Sequence, residues 1–401
     1  MAAVARAADA NEPAAKPQPD EQKPEYPQVP KRPLGKTGLD ISVLSLGGET
    51  DYIENQIMLR KALDWGVTYW DTANNYAGGN SELGIGLFFE RNPDLRKKIT
   101  ICSKATLFGQ PHTPENIQGC LDLSLERMKT DYIDLYCVIH GLSDPAELTD
   151  EIRDWAKEKK QAGTLRHIGF STHKNMIECL NAAAKLDWID FVMTSYNFRL
   201  MQDAEFIKAV KACGEKGIGI IAMKTQGHKA GWDFLNAQEP LETEEDKKLV
   251  EHFLQRGFTE GQAKIKAVLE NPAVASACVR VKSVALLTVN VAAVLDKTEL
   301  SADDMAAFDR YAERTCDGYC AGCANICESA VAGMSCVSDV IRYLMYYHAY
   351  GERQRAKESF AALPAYVRNN LTGFDYAKAE KLCPHNIPIA RLMTHAAAVL
   401  T

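Results

Sequence analysis

The chain has 401 residues, 46% hydrophobic and 25% charged, the balance of an ordinary globular protein long enough for one large domain and a smaller one. A formal net charge of −7 and a pI near 5.8 exclude a protein that binds nucleic acid or an anionic membrane through bulk positive charge. No apolar run approaches the roughly 18 residues that span a bilayer.

Residues 1–30 are rich in Ala, Pro, Glu, Gln and Lys and lack apolar periodicity, so they read as a disordered tail. The opening MAAVARAADA has small residues like those of a cleavage site but no apolar core. A cytoplasmic protein is the expectation, with a trimmed export leader as its rival. From Arg32, RPLGKTGLDIS reads as a hairpin turning at Gly35 and Gly38. Residues 41–46 form a first strand, 54–65 a helix, and 67–70 a strand leading into Asp71.

Helix 81–89 and strand 99–103 follow, the strand ending at Lys104. Thr113 with Pro114 behind it starts a helix to about Met128. Strand 133–139 ends at His140. A helix starting at Asp144 or Thr149 ends near Gly163, and strand 166–170 ends at Ser171. Strand 189–193 leads to Ser195, Tyr196 and Asn197. Strand 219–222 leads to Met223 and Lys224. A polar insertion (225–259) carries one helix near 247–253, before a last helix, strand 275–281 and helix 284–294.

Eight largely apolar strands alternating with helices are what a parallel sheet covered on both faces requires. They close most economically into a (β/α)8 TIM barrel, residues 31–300. An open doubly wound sheet is the rival, but no Gly-x-Gly-x-x-Gly follows the first strand.

Asp71, Tyr76, Lys104, His140, Ser171 and Asn197 all fall at or just past carboxyl ends of strands, which converge on one face of a barrel. A lone charge there is ordinarily a solvated loop residue; this set has coherent chemistry. An ammonium beside a phenol favours its ionised form, and a carboxylate holds the ammonium charged. A neutral imidazole can donate a hydrogen bond to a carbonyl oxygen. The four would protonate that oxygen while a hydride reaches its carbon.

From Arg32 to about Val294 the chain resembles the aldo/keto reductases, through RPLGKTGLDIS, DTANNY with GNSE after it, ICSKA, DYIDLYCVIH, RHIGFSTH, SYN and IGIIAMK. The resemblance implies a catalytic tetrad of Asp71, Tyr76, Lys104 and His140, with Tyr76 as acid. It implies NADPH or NADH lying across the barrel mouth, with a small carbonyl compound as substrate. Ser171, Asn197 and Lys224 match the nicotinamide side. In VRVKSVALLTVN, Lys282 and Ser283 match the 2′-phosphate contacts and Asn290 the adenine side, which tilts the choice to NADP. Thr172, Met193 and Val289 depart from the family pattern on the cofactor side.

Six of twelve cysteines lie between 316 and 383. After an expected helix at 301–315, CDGYCAGCANICE places Cys316, Cys320, Cys323 and Cys327 within twelve residues, spacing suited to iron–sulfur or Zn. Residues 301–401 resemble the mainly α-helical, ferredoxin-like tail of an iron–sulfur subgroup of the same family. The resemblance implies one [4Fe–4S] cluster on Cys316, Cys320, Cys323 and Cys383, with Cys327 competing as the fourth ligand. A retired barrel acting as a redox sensor or electron-transfer protein is the alternative, and a redox partner is then expected.

Overall fold

The computed structural model describes residues 26–107, 109–227, 235 and 243–401. Most of the expected tail over 1–30 and the middle of the expected insertion lie outside these residues.

Strands β1 (Lys31–Pro33) and β2 (Asp40–Ser42) pair antiparallel, with Lys31 opposite Ser42. Gly35 and Gly38 turn the hairpin with positive φ. A Cβ at Gly35 would lie 2.2 Å from Gly217 O, so the hairpin presses directly on the barrel. Leu34 and Ile41 pack with Tyr69, Leu135, Phe191 and Ile221 and plug its amino-terminal end.

The run expected as one strand over 41–46 is divided. Val43 N–H still donates to Pro30 O, and the chain then enters the barrel as β3 (Leu44–Gly47). Parallel strands β4 (Tyr69–Asp71), β5 (Thr100–Lys104), β6 (Ile133–His140), β7 (Leu165–Thr172), β8 (Phe191–Ser195), β9 (Gly219–Met223) and β10 (Val274–Arg280) follow, and β10 closes on β3.

The outer helices are α1 (Gln56–Asp64), α2 (Asn80–Arg91), α3 (Pro114–Met128), α4 (Asp150–Gln161), α5 (Met176–Ala183), α6 (Ala204–Glu215), α7 (Glu244–Gln255), α8 (Glu260–Leu269) and α9 (Val284–Leu295). Their starts are chemically marked. Thr113, Thr149, Asp203, Thr259 and Ser283 each accept a first-turn N–H with the side chain.

Helix α10 (Ala302–Arg314) lays Phe308 and Tyr311 on Phe253 and Phe258, so it shares a core with α7 and α8. A separate core begins at Val331. It is built from α12 (Val337–His348), α13 (Arg353–Ala361) and α16 (Ile389–Val399), with short α11 (Ala324–Cys327), α14 (Ala365–Arg368) and α15 (Ala377–Leu382) around it. Among the described residues this region holds helices and no strand. No described helix is long and apolar enough to cross a membrane.

Candidate active site

Lys104 ends β5 and is buried at 1% exposure. Its Nζ donates to Asp71 Oδ1 and to Thr72 O, both at 2.6 Å. Asp71 ends β4 on the neighbouring strand. A Cβ at Gly48 would lie 1.7 Å from Asp71 O, so glycine is needed where β3 passes that carboxylate's backbone.

Tyr76 follows on the β4–α2 loop, and Ala77, Gly78 and Gly79 after it all adopt positive φ. Three left-handed residues reverse the chain sharply. Glycine does this freely, whereas Ala77 costs about 1 kcal/mol. The loop is anchored by its own polar residues. Thr72 and Ser81 hydroxyls meet at 2.7 Å, and buried Glu82 accepts from Ser103 Oγ at 2.7 Å. The stretch DTANNYAGGNSE is therefore also a structural clamp.

Lys104 Nζ lies 4.7 Å from the Tyr76 ring centroid, and the His140 ring meets Tyr76 edge-on at 5.7 Å. Thr106 Oγ1 bridges His140 Nδ1 at 2.6 Å and the Asn75 amide at 3.0 Å. Thr106 gives its one hydroxyl proton to Asn75 Oδ1, and its contact with Nδ1 fixes the orientation of the His140 ring beside Tyr76.

Burial, then the charges of Lys104, Arg355, Arg342 and Lys224, push His140 well below its ordinary value, so the ring is neutral. Burial would lower Lys104, but Asp71 outweighs it and holds the ammonium charged. Burial raises Tyr76 above the ordinary phenol value, and Lys104 is the largest opposing influence. The sequence suggested a phenol drawn down by Lys104; in the fold, desolvation exceeds that pull. Tyr76 is held as the protonated acid.

Asp71, Tyr76 and His140 line a cavity of about 470 Å³. Lys224, Lys282 and Asn290 line it too. The other three differ. Ser171 is fully buried and accepts from Gly141 N–H at 3.0 Å, which fixes the loop after His140. Asn197 donates to Lys224 O at 3.2 Å and Tyr319 Oη at 3.1 Å, while its Oδ1 accepts from Arg199 and Leu200 N–H. Ser283 caps α9, accepting from Leu286 N–H.

Sequence reasoning missed a whole wall of the cavity. Tyr346, Tyr350, Glu352 and Arg355 come from α12, α13 and the turn between them. Glu352 contacts Arg280, lies 3.6 Å from Lys282, and pairs with Arg355 at 2.6 Å; Arg355 also reaches Glu49 at 2.6 Å. No local spacing links these residues to the strand ends.

Cys320, Cys323, Cys327 and Cys383 line one small cavity with an apolar wall. Cys316, placed in the ligand set on sequence grounds, instead lines another cavity with Cys323 and His385. The helical turn of α11 returns Cys327 to the side of Cys323, which spacing alone did not show. Burial raises Cys323 to about 11 and Cys327 to about 12. Among the described residues no three His, Cys, Asp or Glu side chains are arranged to hold a single metal ion.

The aldo/keto reductase family model matches residues 42–313. The aldo-keto reductase yakc [NADP(+)] of Schizosaccharomyces pombe is 32% identical over 212 residues, 50% of this chain and 58% of that relative. The uncharacterized oxidoreductase YrpG of Bacillus subtilis is 26% identical over 300 residues, 66% of this chain and 91% of the relative. The holo form of the aldo-keto reductase AKR11C1 from Bacillus halodurans superposes with a TM-score of 0.57 at 22% identity, covering 71% of this chain and 96% of that one, a likeness of fold. Barrel, strand-end residues and family match agree: the chain belongs to the aldo/keto reductase family.

Proposed function

We propose that this protein reduces an aldehyde or ketone with NADPH. The observation that carries the reading is the Asp71–Lys104 pair behind Tyr76, with neutral His140 beside it, on one cavity. The cavity's volume lies within the ~300–1,000 Å³ of ordinary ligand sites. Its far end carries Lys282, Arg280 and Asn290 beside the start of α9, a helix terminus suited to phosphate. When bound there, a reduced nicotinamide supplies a hydride to the carbonyl carbon. His140 orients the carbonyl oxygen. Tyr76 delivers the proton to that oxygen as negative charge develops on it, and Lys104, held by Asp71, stabilises the phenolate left behind. The yeast relative's NADP(+) designation supports the same cofactor.

Fluorescence titration with both nicotinamides, followed by a carbonyl screen under anaerobic conditions, tests this. NADPH binding with turnover of at least one aldehyde or ketone is expected; a barrel that binds neither nucleotide overturns the reading.

From the four thiols that line one apolar cavity we infer that Cys320, Cys323, Cys327 and Cys383 hold one [4Fe–4S] cluster. Such a cluster would cross-link the tail and accept single electrons. Iron and acid-labile sulfide in anaerobically purified protein should be lost in Cys327→Ala and kept in Cys316→Ala. A colourless protein holding one zinc overturns the assignment. Tyr319, next to Cys320, hydrogen-bonds Asn197 on the cavity side of the barrel, and this contact favours electron transfer through the tail as the second reading.

A further inference from the structure

Four cations line the large cavity: Lys224, Arg280, Lys282 and Arg355. Three have carboxylates. Arg280, Lys282 and Arg355 share Glu352, and Arg355 also holds Glu49. Lys224 differs. Its Nζ meets the Tyr346 hydroxyl at 2.9 Å, and among the described residues no carboxylate pairs with it.

Tyr346 is itself buried among positive charge. The Arg355 guanidinium lies over its ring at 4.0 Å, and Lys224 Nζ lies 4.9 Å from the ring centroid. Burial pushes this phenol up, but Lys224, Arg355 and Arg342 outweigh it and bring it to about 8. Burial brings Lys224 down to about 8 as well. Among the described residues the pair is a pocket of positive potential with no anion in it. An uncompensated ammonium in a low-dielectric wall is costly, and an incoming anion removes that cost.

The pocket also lies close to the reacting groups. Lys224 and Tyr346 share the cavity with Tyr76 and His140, and the charge of Lys224 reaches the His140 ring. A small molecule can therefore place its carbonyl at Tyr76 and an anionic group at Lys224 at once.

We propose that the substrate is a carbonyl compound bearing a carboxylate or phosphate, and that Lys224 and the Tyr346 hydroxyl hold that anion, so that the C-terminal region completes the substrate site. This rests on the carbonyl-reductase reading above. It gives the tail a task that the barrel chemistry leaves open.

The test uses the full-length protein with matched probes: succinic semialdehyde against butanal, glyoxylate against acetaldehyde, and glyceraldehyde 3-phosphate against glyceraldehyde. Charge-assisted contacts of this kind predict a kcat/KM advantage of roughly ten- to a hundred-fold for the anionic member of at least one pair. The semialdehyde and glyoxylate arms report carboxylate recognition, and the triose arm reports phosphate. Lys224→Met should collapse the ratio by raising KM for the anionic member, with NADPH affinity changed less than about three-fold. Tyr346→Phe, which keeps the ring and its packing, should reduce the same ratio in part. Equal turnover within every pair overturns the proposal, as does a ratio that survives both variants. A loss of NADPH affinity in Lys224→Met also overturns it, because Lys224 is then a cofactor contact. If no carbonyl turns over although NADPH binds, the reductase reading itself fails.

Discussion

Tyr76→Phe should cut carbonyl reduction by about 10²–10⁴-fold while NADPH binds within a few-fold of wild type. The variant removes one oxygen. The ring, its edge-on contact with His140 and its place over Lys104 all remain. What disappears is the proton that the alkoxide needs. His140 cannot replace it: burial and four neighbouring cations hold that ring neutral and well below its ordinary value, so it is not an effective acid at pH 7. Stopped-flow hydride transfer and nucleotide titration on the same preparation separate chemistry from binding. Reduction that persists at wild-type rate in Tyr76→Phe removes Tyr76 as the acid.

Lys104→Met should lose both activity and stability. The ammonium is the largest influence opposing the burial of the Tyr76 phenolate, so its removal makes the proton harder to release. The structural cost is separate. Asp71 is 3% exposed, and Lys104 is its charged partner at 2.6 Å. Breaking a buried pair from one side costs about 3–5 kcal/mol. Asp71 then folds with its proton retained, so its folded value rises above the unfolded one. Stability of the variant is retained below the unfolded carboxyl value and falls as pH rises through the raised folded value. Lys104→Met with Asp71→Asn removes both charges and should recover much of the lost stability without recovering turnover. Urea denaturation at pH 5 and pH 8 measures the sign. A Lys104→Met protein as stable as wild type at pH 8 contradicts the buried-pair account.

Asp71, Lys104 and His140 were legible in sequence because they sit at strand ends, and a parallel strand announces itself as a short apolar run. DYIDLYCVIH shows this: β6 runs from Ile133 to His140, and the polar residue falls where the strand leaves the sheet. The cap at Thr113 was legible for a related reason: before Pro114 it satisfies a first-turn N–H group locally, without help from distant residues. Ser171 and Asn197 were legible as strand-end residues but not in their task. Both spend their hydrogen bonds on the loops beside the site, which depends on partners far along the chain.

The cysteine set shows the same division. Spacing identified a thiol cluster, but which four thiols share one cavity depends on the helical turn of α11 and on where α15 delivers Cys383.

The sequence by itself determined the barrel, the order of its strands and the three residues placed with Tyr76, because strand periodicity, caps and strand-end polarity are local properties. Tertiary structure alone decided three things. It set the protonation state of the site, through burial and the cations Lys224, Arg342 and Arg355. It set the membership of the cysteine pocket. It set the wall of Tyr346, Glu352 and Arg355 that the C-terminal helices bring to the barrel mouth. Charges act through space and burial arises from packing, so neither is written in the spacing of residues along the chain.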